Sequence, residues 1–269
     1  MEFGICLQTV IPVRSEPSHK SEMVTQVLFG ELFRILLIEK EWTRVSLAYD
    51  DYEGWICLNQ VRFLTEKEFL QLFNAETAVT LDLVQLITNQ TRRTIAPIIL
   101  GSSLPGYAKE EFNILNDQYF YDGSNTEISP FDTITTQQDH LKAKQAILSD
   151  AMMYLNAPYL WGGRTPFGID CSGLVQMVYK IKKIKLLRDA SQQATHGESV
   201  SFVSETEPGD LAFFDDEEGN IIHVGIMVDK ARIIHASGKV RLDTIDHEGI
   251  YNVDEQRYTH KLRLIKRIV

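Results

Sequence analysis

The spacing of hydrophobic and polar residues predicts mostly strands in the first half of the chain. Over residues 1–64, short apolar runs alternate with turn residues, and Trp42–Leu47 shows the period of two that is typical of a half-buried strand. Five short strands within this length predict a small β-barrel. The predicted strands are Gly4–Pro12, Val24–Phe29, Leu32–Ile38, Thr43–Leu47 and Gly54–Leu58.

The pattern changes briefly to a helix and then returns to strands. Thr65–Ala75 predicts a short amphipathic helix in which Thr65 is the N-cap and Glu68 completes a capping box, so we place a domain boundary after residue 64. A second, degenerate barrel fits residues 65–135, and a β-rich extension of the first barrel is the alternative. The strands expected there are Thr77–Ile87, Ile95–Leu100, Glu111–Leu115 and Tyr119–Tyr121.

From residue 136 onwards the period becomes helical and then strand-like again. One apolar face is expected to be buried on a helix that ends before Pro158. A second helix is expected from Cys171, and strands follow near 211–215, 222–228, 232–236, 240–245 and 261–268. This order predicts an α+β domain over 136–269. The residues of the apolar face are Ala143, Ile147, Ala151, Met152 and Leu155.

The stretch Gly168–Val175 contains the first candidate for chemistry. It predicts a turn that delivers Cys171 to the first turn of a buried helix. Unpaired N–H groups and the positive end of the helix dipole lie there and favour a nucleophilic thiolate. An ordinary buried cysteine at a helix start is the alternative.

Two histidines further along the chain favour the interpretation of Cys171 as a catalytic nucleophile. His223 and His235 each lie in an apolar, strand-like run, twelve residues apart. Adjacent antiparallel strands place two such imidazoles side by side. A cysteine, a base and a group that orients the base are what nucleophilic catalysis needs.

The second half of the chain resembles the NlpC/p60 cell-wall cysteine peptidases. The motifs are Ala157–Gly163, Phe167–Gly173, Arg188–Gln193 and Pro208–Phe214, together with the two histidine strands. The resemblance covers roughly residues 140–269 and implies a papain-like domain with Cys171 as nucleophile, His223 as base and His235 as its orienting partner.

The resemblance also implies roles for residues around Cys171. The Tyr159 hydroxyl would help to bind the oxyanion, or Tyr159 would only form a wall of the site. Asp170 and Ser172 would hold substrate, with Asp170 on a free α-amine, unless Asp170 is only a helix cap. Trp161 would line the cleft, with plain core packing as the alternative.

The first barrel resembles bacterial Src-homology-3-like domains through a short set of residues: Val13, Arg14, Pro17, Gly30, Glu31, Trp42, Val45, Gly54, Trp55 and Ile56. Two barrels ahead of a catalytic domain resemble dipeptidyl peptidases that cleave γ-D-glutamyl–diaminopimelate bonds in peptides with a free N-terminal L-Ala. In those relatives the first barrel closes one end of the cleft, and Tyr52 is the residue that we expect to contribute here.

The charge and the types of residue in the chain exclude some classes of binding partner. The net charge is −10 and the longest basic cluster is Lys180–Lys185, so neither nucleic acid nor an anionic membrane is expected. Cys6 and Cys57 are expected in the core. His19, His140, His196, His247 and His260 are expected at the surface without a ligand pair, so neither a metal nor another cofactor is implied.

The sequence therefore predicts a monomeric cysteine peptidase acting on murein tripeptide or related wall peptides, in cell-wall recycling. Met1–Cys6 lacks the pattern of a signal peptide, which predicts a cytoplasmic location, or export if a leader has been removed. The alternatives are a general peptidoglycan endopeptidase, a cysteine-dependent acyltransferase, and a binding protein with a vestigial catalytic domain.

Overall fold

The computed structural model describes residues 2–126, 131 and 136–269. The chain divides into two compact units. Unit 1 comprises Met1–Ile128 and Trp161–Thr165, and unit 2 comprises Ser129–Leu160 and Pro166–Val269. The end of the predicted second domain, residues 127–130 and 132–135, lies outside the described residues. The three predicted domain ranges stay predictions.

Seven antiparallel strands form the first sheet of unit 1, in the order β3-β2-β6-β5-β4-β1-β7. The predicted strand Gly4–Pro12 is two strands, because Cys6 leaves the sheet and exchanges backbone hydrogen bonds with Gly30 and Glu31. The other four predicted strands are confirmed, and β7 was not predicted. The strands are β1 (Glu2–Ile5), β2 (Val10–Arg14), β3 (Met23–Leu28), β4 (Leu32–Glu39), β5 (Trp42–Leu47), β6 (Glu53–Cys57) and β7 (Arg62–Leu64).

The predicted helix after this sheet is confirmed as α1 (Glu66–Phe73). Thr65 Oγ1 accepts from the Glu68 N–H, and the Glu68 carboxylate accepts from the Thr65 N–H at 2.7 Å. Both bonds satisfy backbone donors that a helix start leaves unpaired, which is why a four-residue pattern located this end so well.

Seven shorter strands follow in unit 1 and form two sheets, ordered β10-β9-β13-β12 and β11-β8-β14. The predicted strand Thr77–Ile87 breaks between residues 80 and 84. Phe3 of β1 and Phe29, which directly follows β3, share one hydrophobic core with Leu104 and Phe112. The strands are β8 (Thr77–Thr80), β9 (Val84–Asn89), β10 (Thr94–Ile99), β11 (Ser103–Pro105), β12 (Glu111–Ile114), β13 (Asp117–Phe120) and β14 (Asn125–Thr126).

The described part of unit 2 contains three α-helices and an antiparallel sheet. The helices are α2 (Gln137–Met153), α3 (Cys171–Ile181) and α4 (Ala190–Gln193). The sheet order is β17-β23-β18-β19-β20-β21-β22, and β22 also pairs with β23, so the six strands β18 to β23 close into a ring. The predicted α+β class is confirmed. The strands are β17 (Glu198–Val200), β18 (Leu211–Asp215), β19 (Ile221–Met227), β20 (Arg232–Ser237), β21 (Lys239–Ile245), β22 (Gly249–Asn252) and β23 (Arg257–Arg267).

Two short strands precede α3: β15 (Arg164–Thr165), which belongs to unit 1, and β16 (Gly168–Ile169). The apolar face predicted for α2 is right at Ala143, Ile147 and Ala151, which are buried. It is wrong at Leu155, which lies past the end of the helix and is exposed, and Met152 is only half-buried. Among the described residues, no helix combines the length and apolar character that crossing a membrane requires.

Candidate active site

Cys171 is the first residue of α3, as the sequence predicts. The preceding Asp170 caps the helix, because its Oδ1 accepts from the Gly173 N–H at 2.7 Å. Every residue of α3 is buried, and the helix packs against β19 and β20. The nucleophile candidate is therefore held on a rigid element next to the two histidine strands.

The Cys171 side chain meets β19 directly. Its sulfur has hydrogen bonds with the backbone of Val224 and of Ser172, and Val224 is the residue after His223. Burial, and next the charge of Asp170, raise the pKa of the thiol to about 12 despite these bonds. The raised pKa runs against the expectation that the helix start favours a resting thiolate, which stays a prediction. Burial removes the thiolate from water, and this destabilises the charged sulfur more than the dipole of α3 stabilises it.

His223, His235 and Asp243 form a hydrogen-bonded chain on three neighbouring strands. His223 Nε2 lies 2.8 Å from His235 Nδ1, and His235 Nε2 lies 2.9 Å from Asp243 Oδ2. In the β19–β20 register, His235 lies opposite Gly225, two residues from His223, so the two imidazoles are diagonal neighbours on one face. The predicted side-by-side placement is confirmed.

The direction of this chain follows from Asp243. Burial alone would raise the pKa of Asp243, but hydrogen bonds from His235 and Arg241 hold it below its usual value. An ionised carboxylate only accepts, so His235 carries its proton on Nε2 and accepts with Nδ1. His223 must then donate with Nε2, which leaves the lone pair of its Nδ1 free to take a proton.

His260 completes the surroundings of His223. The two rings stack with centroids 4.1 Å apart and an angle of 27°. Burial, and then repulsion from any positive charge on His235 or His260, hold the pKa of His223 well below its usual value. The prediction that His260 is a surface residue is wrong, since β23 brings it half-buried against β19.

The residues around Cys171 include a buried ionic network. Arg188 donates to both carboxylate oxygens of Asp170 and, at 2.9 Å, to Ser172 Oγ. Asp170 and Ser172, two of the four predicted substrate-binding residues, thus lie beside the nucleophile. Asp170 is also the helix cap that we considered as its alternative role.

Tyr159 lies close to the same group. Burial, and then the charges of Cys171 and Asp170, raise the pKa of its hydroxyl to about 12. The phenol is therefore protonated at neutral pH and able to donate a hydrogen bond. Whether that donor serves an oxyanion stays a prediction.

Two stretches of the chain match known families. Residues 156–263 match the NlpC/P60 family, and residues 13–61 match the bacterial dipeptidyl-peptidase Sh3 domain. The chain combines an NlpC/P60 domain with an Sh3 domain. The predicted resemblance is confirmed, and the NlpC/P60 match contains Cys171, His223 and His235.

Two curated relatives match the chain over most of their length. The chain is 28% identical to the gamma-D-glutamyl-L-lysine dipeptidyl-peptidase of Bacillus subtilis (strain 168), over 87% of the chain and 75% of the relative. It is 25% identical to dipeptidyl-peptidase 6 of Lysinibacillus sphaericus, over 91% and 92%. The crystal structure of an NlpC/P60 family protein from Bacillus cereus has the same fold, with a TM-score of 0.79, 18% identity and 99% coverage of both chains.

The remaining predicted site residues lie in unit 1. Trp161 is 61% exposed, with its indole N–H on the Glu22 carboxylate, so core packing is excluded and a role in a cleft stays a prediction. Tyr52 of the Sh3 domain packs half-buried against that domain's own core. Cys6 is in the core as predicted, but Cys57 is half-buried and lines a surface cavity.

Sequence reasoning missed Asp243, Arg241 and Arg188 in the NlpC/P60 domain. Arg241 Nη2 donates to Asp243 Oδ1 at 2.9 Å and so fixes the carboxylate that His235 uses. The sequence does carry a signal for this pair: Arg241 and Asp243 are two residues apart, so on a strand they lie on the same face, and that strand follows the one that contains His235. Arg188 belongs to the family motif Arg188–Gln193, but that motif does not indicate which carboxylate its guanidinium binds.

Proposed function

We propose that this protein is a cysteine peptidase that hydrolyses the γ-D-glutamyl–diamino acid bond of peptidoglycan stem peptides with a free N-terminal L-Ala. The observation that supports this most is the Cys171 thiol against the backbone of Val224, beside a His223–His235–Asp243 chain. NlpC/P60 membership makes hydrolysis of a peptide bond the expected reaction. A role in recycling wall peptides and the cytoplasmic location stay predictions.

In the proposed reaction His223 Nδ1 takes the proton of Cys171 as the sulfur attacks the γ-carbonyl carbon of D-Glu. The oxyanion that forms accepts hydrogen bonds from the Cys171 N–H and the Tyr159 hydroxyl. His223 then gives its proton to the departing amine, which leaves a thioester that water hydrolyses. His235 and Asp243 stabilise the protonated His223 through the hydrogen-bonded chain.

Specificity for a free N-terminus would come from Asp170. Its carboxylate lies beside the nucleophile, where the α-amine of L-Ala in a dipeptidyl unit would be placed. Arg188 already neutralises that carboxylate, so the amine must share an oxygen with the guanidinium, which a carboxylate permits. The dipeptidyl-peptidase names of two relatives that match over most of the chain support the same specificity.

The deciding experiment compares L-Ala-γ-D-Glu-meso-diaminopimelate, its L-lysine counterpart and the N-acetylated form of each, with mass spectrometry as the readout. We expect cleavage of the free tripeptides and none by Cys171→Ala. Equal cleavage of the acetylated peptides would contradict the free-end specificity and favour a general endopeptidase. Transfer of the acyl group to an added amine without hydrolysis would favour the acyltransferase alternative.

A further inference from the structure

Three histidines in unit 2 converge where the sequence predicted two. His223 on β19, His235 on β20 and His260 on β23 each offer one ring nitrogen, and these three atoms lie within 4.8 Å of one another. His260 also lines a surface cavity of about 480 Å³, which gives solvent a path to the cluster. The closure of the sheet through β23 creates this group.

The spacing is close to what a tetrahedral metal ion requires. Zinc–nitrogen bonds of about 2.0–2.1 Å place ligand atoms about 3.3 Å apart. The atoms of His223 and His235 are 2.8 Å apart in a hydrogen bond, so they must part slightly and lose that bond when both bind the ion. The half-buried His260 ring stacks on His223 with centroids 4.1 Å apart and an angle of 27°, so the His260 side chain must turn out of this stack before its nitrogen points to the same ion.

The outer contacts of His235 and His260 leave one nitrogen of each ring for a metal ion. Metal-bound histidines commonly donate their other ring N–H to a carboxylate or another acceptor. His235 does so to Asp243 at 2.9 Å, and Arg241 holds that carboxylate. His260 Nδ1 lies 2.9 Å from Thr259 Oγ1, which leaves Nε2 as its ligand atom.

We propose that His223, His235 and His260 form a site for a divalent transition metal ion such as Zn²⁺, and that the bound ion inhibits the enzyme. Three imidazoles without an oxygen ligand select zinc, copper or nickel over magnesium or calcium. The inhibitory part rests on the proposed peptidase function, whereas binding of the metal does not.

Inhibition follows from the tautomer of His223. In the active form its Nε2 carries the proton and its Nδ1 is the base. A metal on Nε2 takes that lone pair, so the single proton of the neutral ring moves to Nδ1. No bond to substrate changes and no electron is transferred, but His223 can no longer accept the proton of Cys171.

Binding is tested on the full chain with Co²⁺, which reports tetrahedral coordination by visible absorption, and with Zn²⁺ by calorimetry. We expect one ion per chain, and at least tenfold weaker binding for His260→Phe, which keeps an aromatic ring on His223 but removes a ligand. His247→Phe is the matched control, because exposed His247 lines the same cavity outside the cluster. Cys171→Ala is expected to bind as wild type does.

Activity on the free tripeptide is followed with and without Zn²⁺ and after treatment with a chelator. We expect reversible inhibition of the wild type at a Zn²⁺ concentration at least tenfold below that needed for His260→Phe. No Co²⁺ spectrum up to millimolar metal, or equal affinity of wild type and His260→Phe, would overturn the site. An enzyme that stays inactive after chelation while it binds Co²⁺ would instead contradict the peptidase function.

Discussion

His235 Nε2 lies 2.9 Å from Asp243 Oδ2, and this bond sets the direction of the next hydrogen bond, between His235 and His223. Asp243 is buried on β21 and is held in turn by Arg241. A carboxylate that only accepts fixes the proton of His235 on Nε2. The base at Nδ1 of His223 thus depends on a residue two hydrogen bonds away.

Replacing Asp243 by Asn should therefore impair catalysis. The amide N–H₂ can donate to His235 Nε2, which reverses the chain and moves the proton of His223 onto Nδ1. We expect kcat to fall by about 10²-fold or more. Asp254→Asn is the control, since exposed Asp254 also accepts from Arg241 but has no bond to His235 in the structure. Equal losses in the two variants would refute the argument.

Tyr159→Phe separates the two roles considered for Tyr159. A hydroxyl that donates to the oxyanion acts in the transition state, so its loss should lower kcat by about 10²- to 10³-fold with little change in KM. If Tyr159 is only a wall of the site, kcat will stay near the wild-type value. Steady-state kinetics on the free tripeptide decide between these outcomes.

Alkylation of Cys171 should be slow and strongly dependent on pH. Burial and the charge of Asp170 raise the pKa of the thiol to about 12, while the pKa of His223 is held well below its usual value, so both groups are neutral at pH 7. The rate with iodoacetamide, read at Cys171 by mass spectrometry, should rise about tenfold per pH unit from 7 to 10. A plateau below pH 8 would reveal a resting thiolate–imidazolium pair instead.

The Glu31–Arg164 ion pair should stabilise unit 1. Arg164 donates to both carboxylate oxygens of Glu31 at 2.9 Å, and both side chains are buried. Glu31→Gln leaves a buried guanidinium without its counter-charge, which should cost about 3–5 kcal/mol. Urea unfolding followed by tryptophan fluorescence measures this, because all three tryptophans, Trp42, Trp55 and Trp161, belong to unit 1.

The control for this pair is Asp51→Asn. Asp51 forms an ion pair with Arg34 at 2.7 Å, but both side chains reach solvent, so its loss should cost about 0–1 kcal/mol. Similar shifts of the urea midpoint for the two variants would show that burial of Glu31 adds nothing.

Local sequence signals located the helices that begin with a polar cap and the strands in which hydrophobic and polar residues alternate. Thr65 and Glu68 fixed the start of α1, and Asp170 fixed the start of α3. The strand at Leu211–Asp215 lies where a strand near 211–215 was predicted. Such features depend on contacts three or four residues apart, or on a period of two, which the chain itself displays.

The roles of Cys171, His223 and His235 could also be predicted from the sequence, because each residue lies in a distinctive local pattern. The sequence by itself thus determined the main elements, the α+β class and the candidate nucleophile with its two histidines. Asp243, Arg241 and His260 were decided by tertiary structure alone, since they approach His223 only when β18 to β23 close into a ring. The raised pKa of the Cys171 thiol is likewise a property of burial, and burial is a sum over neighbours that no local pattern records.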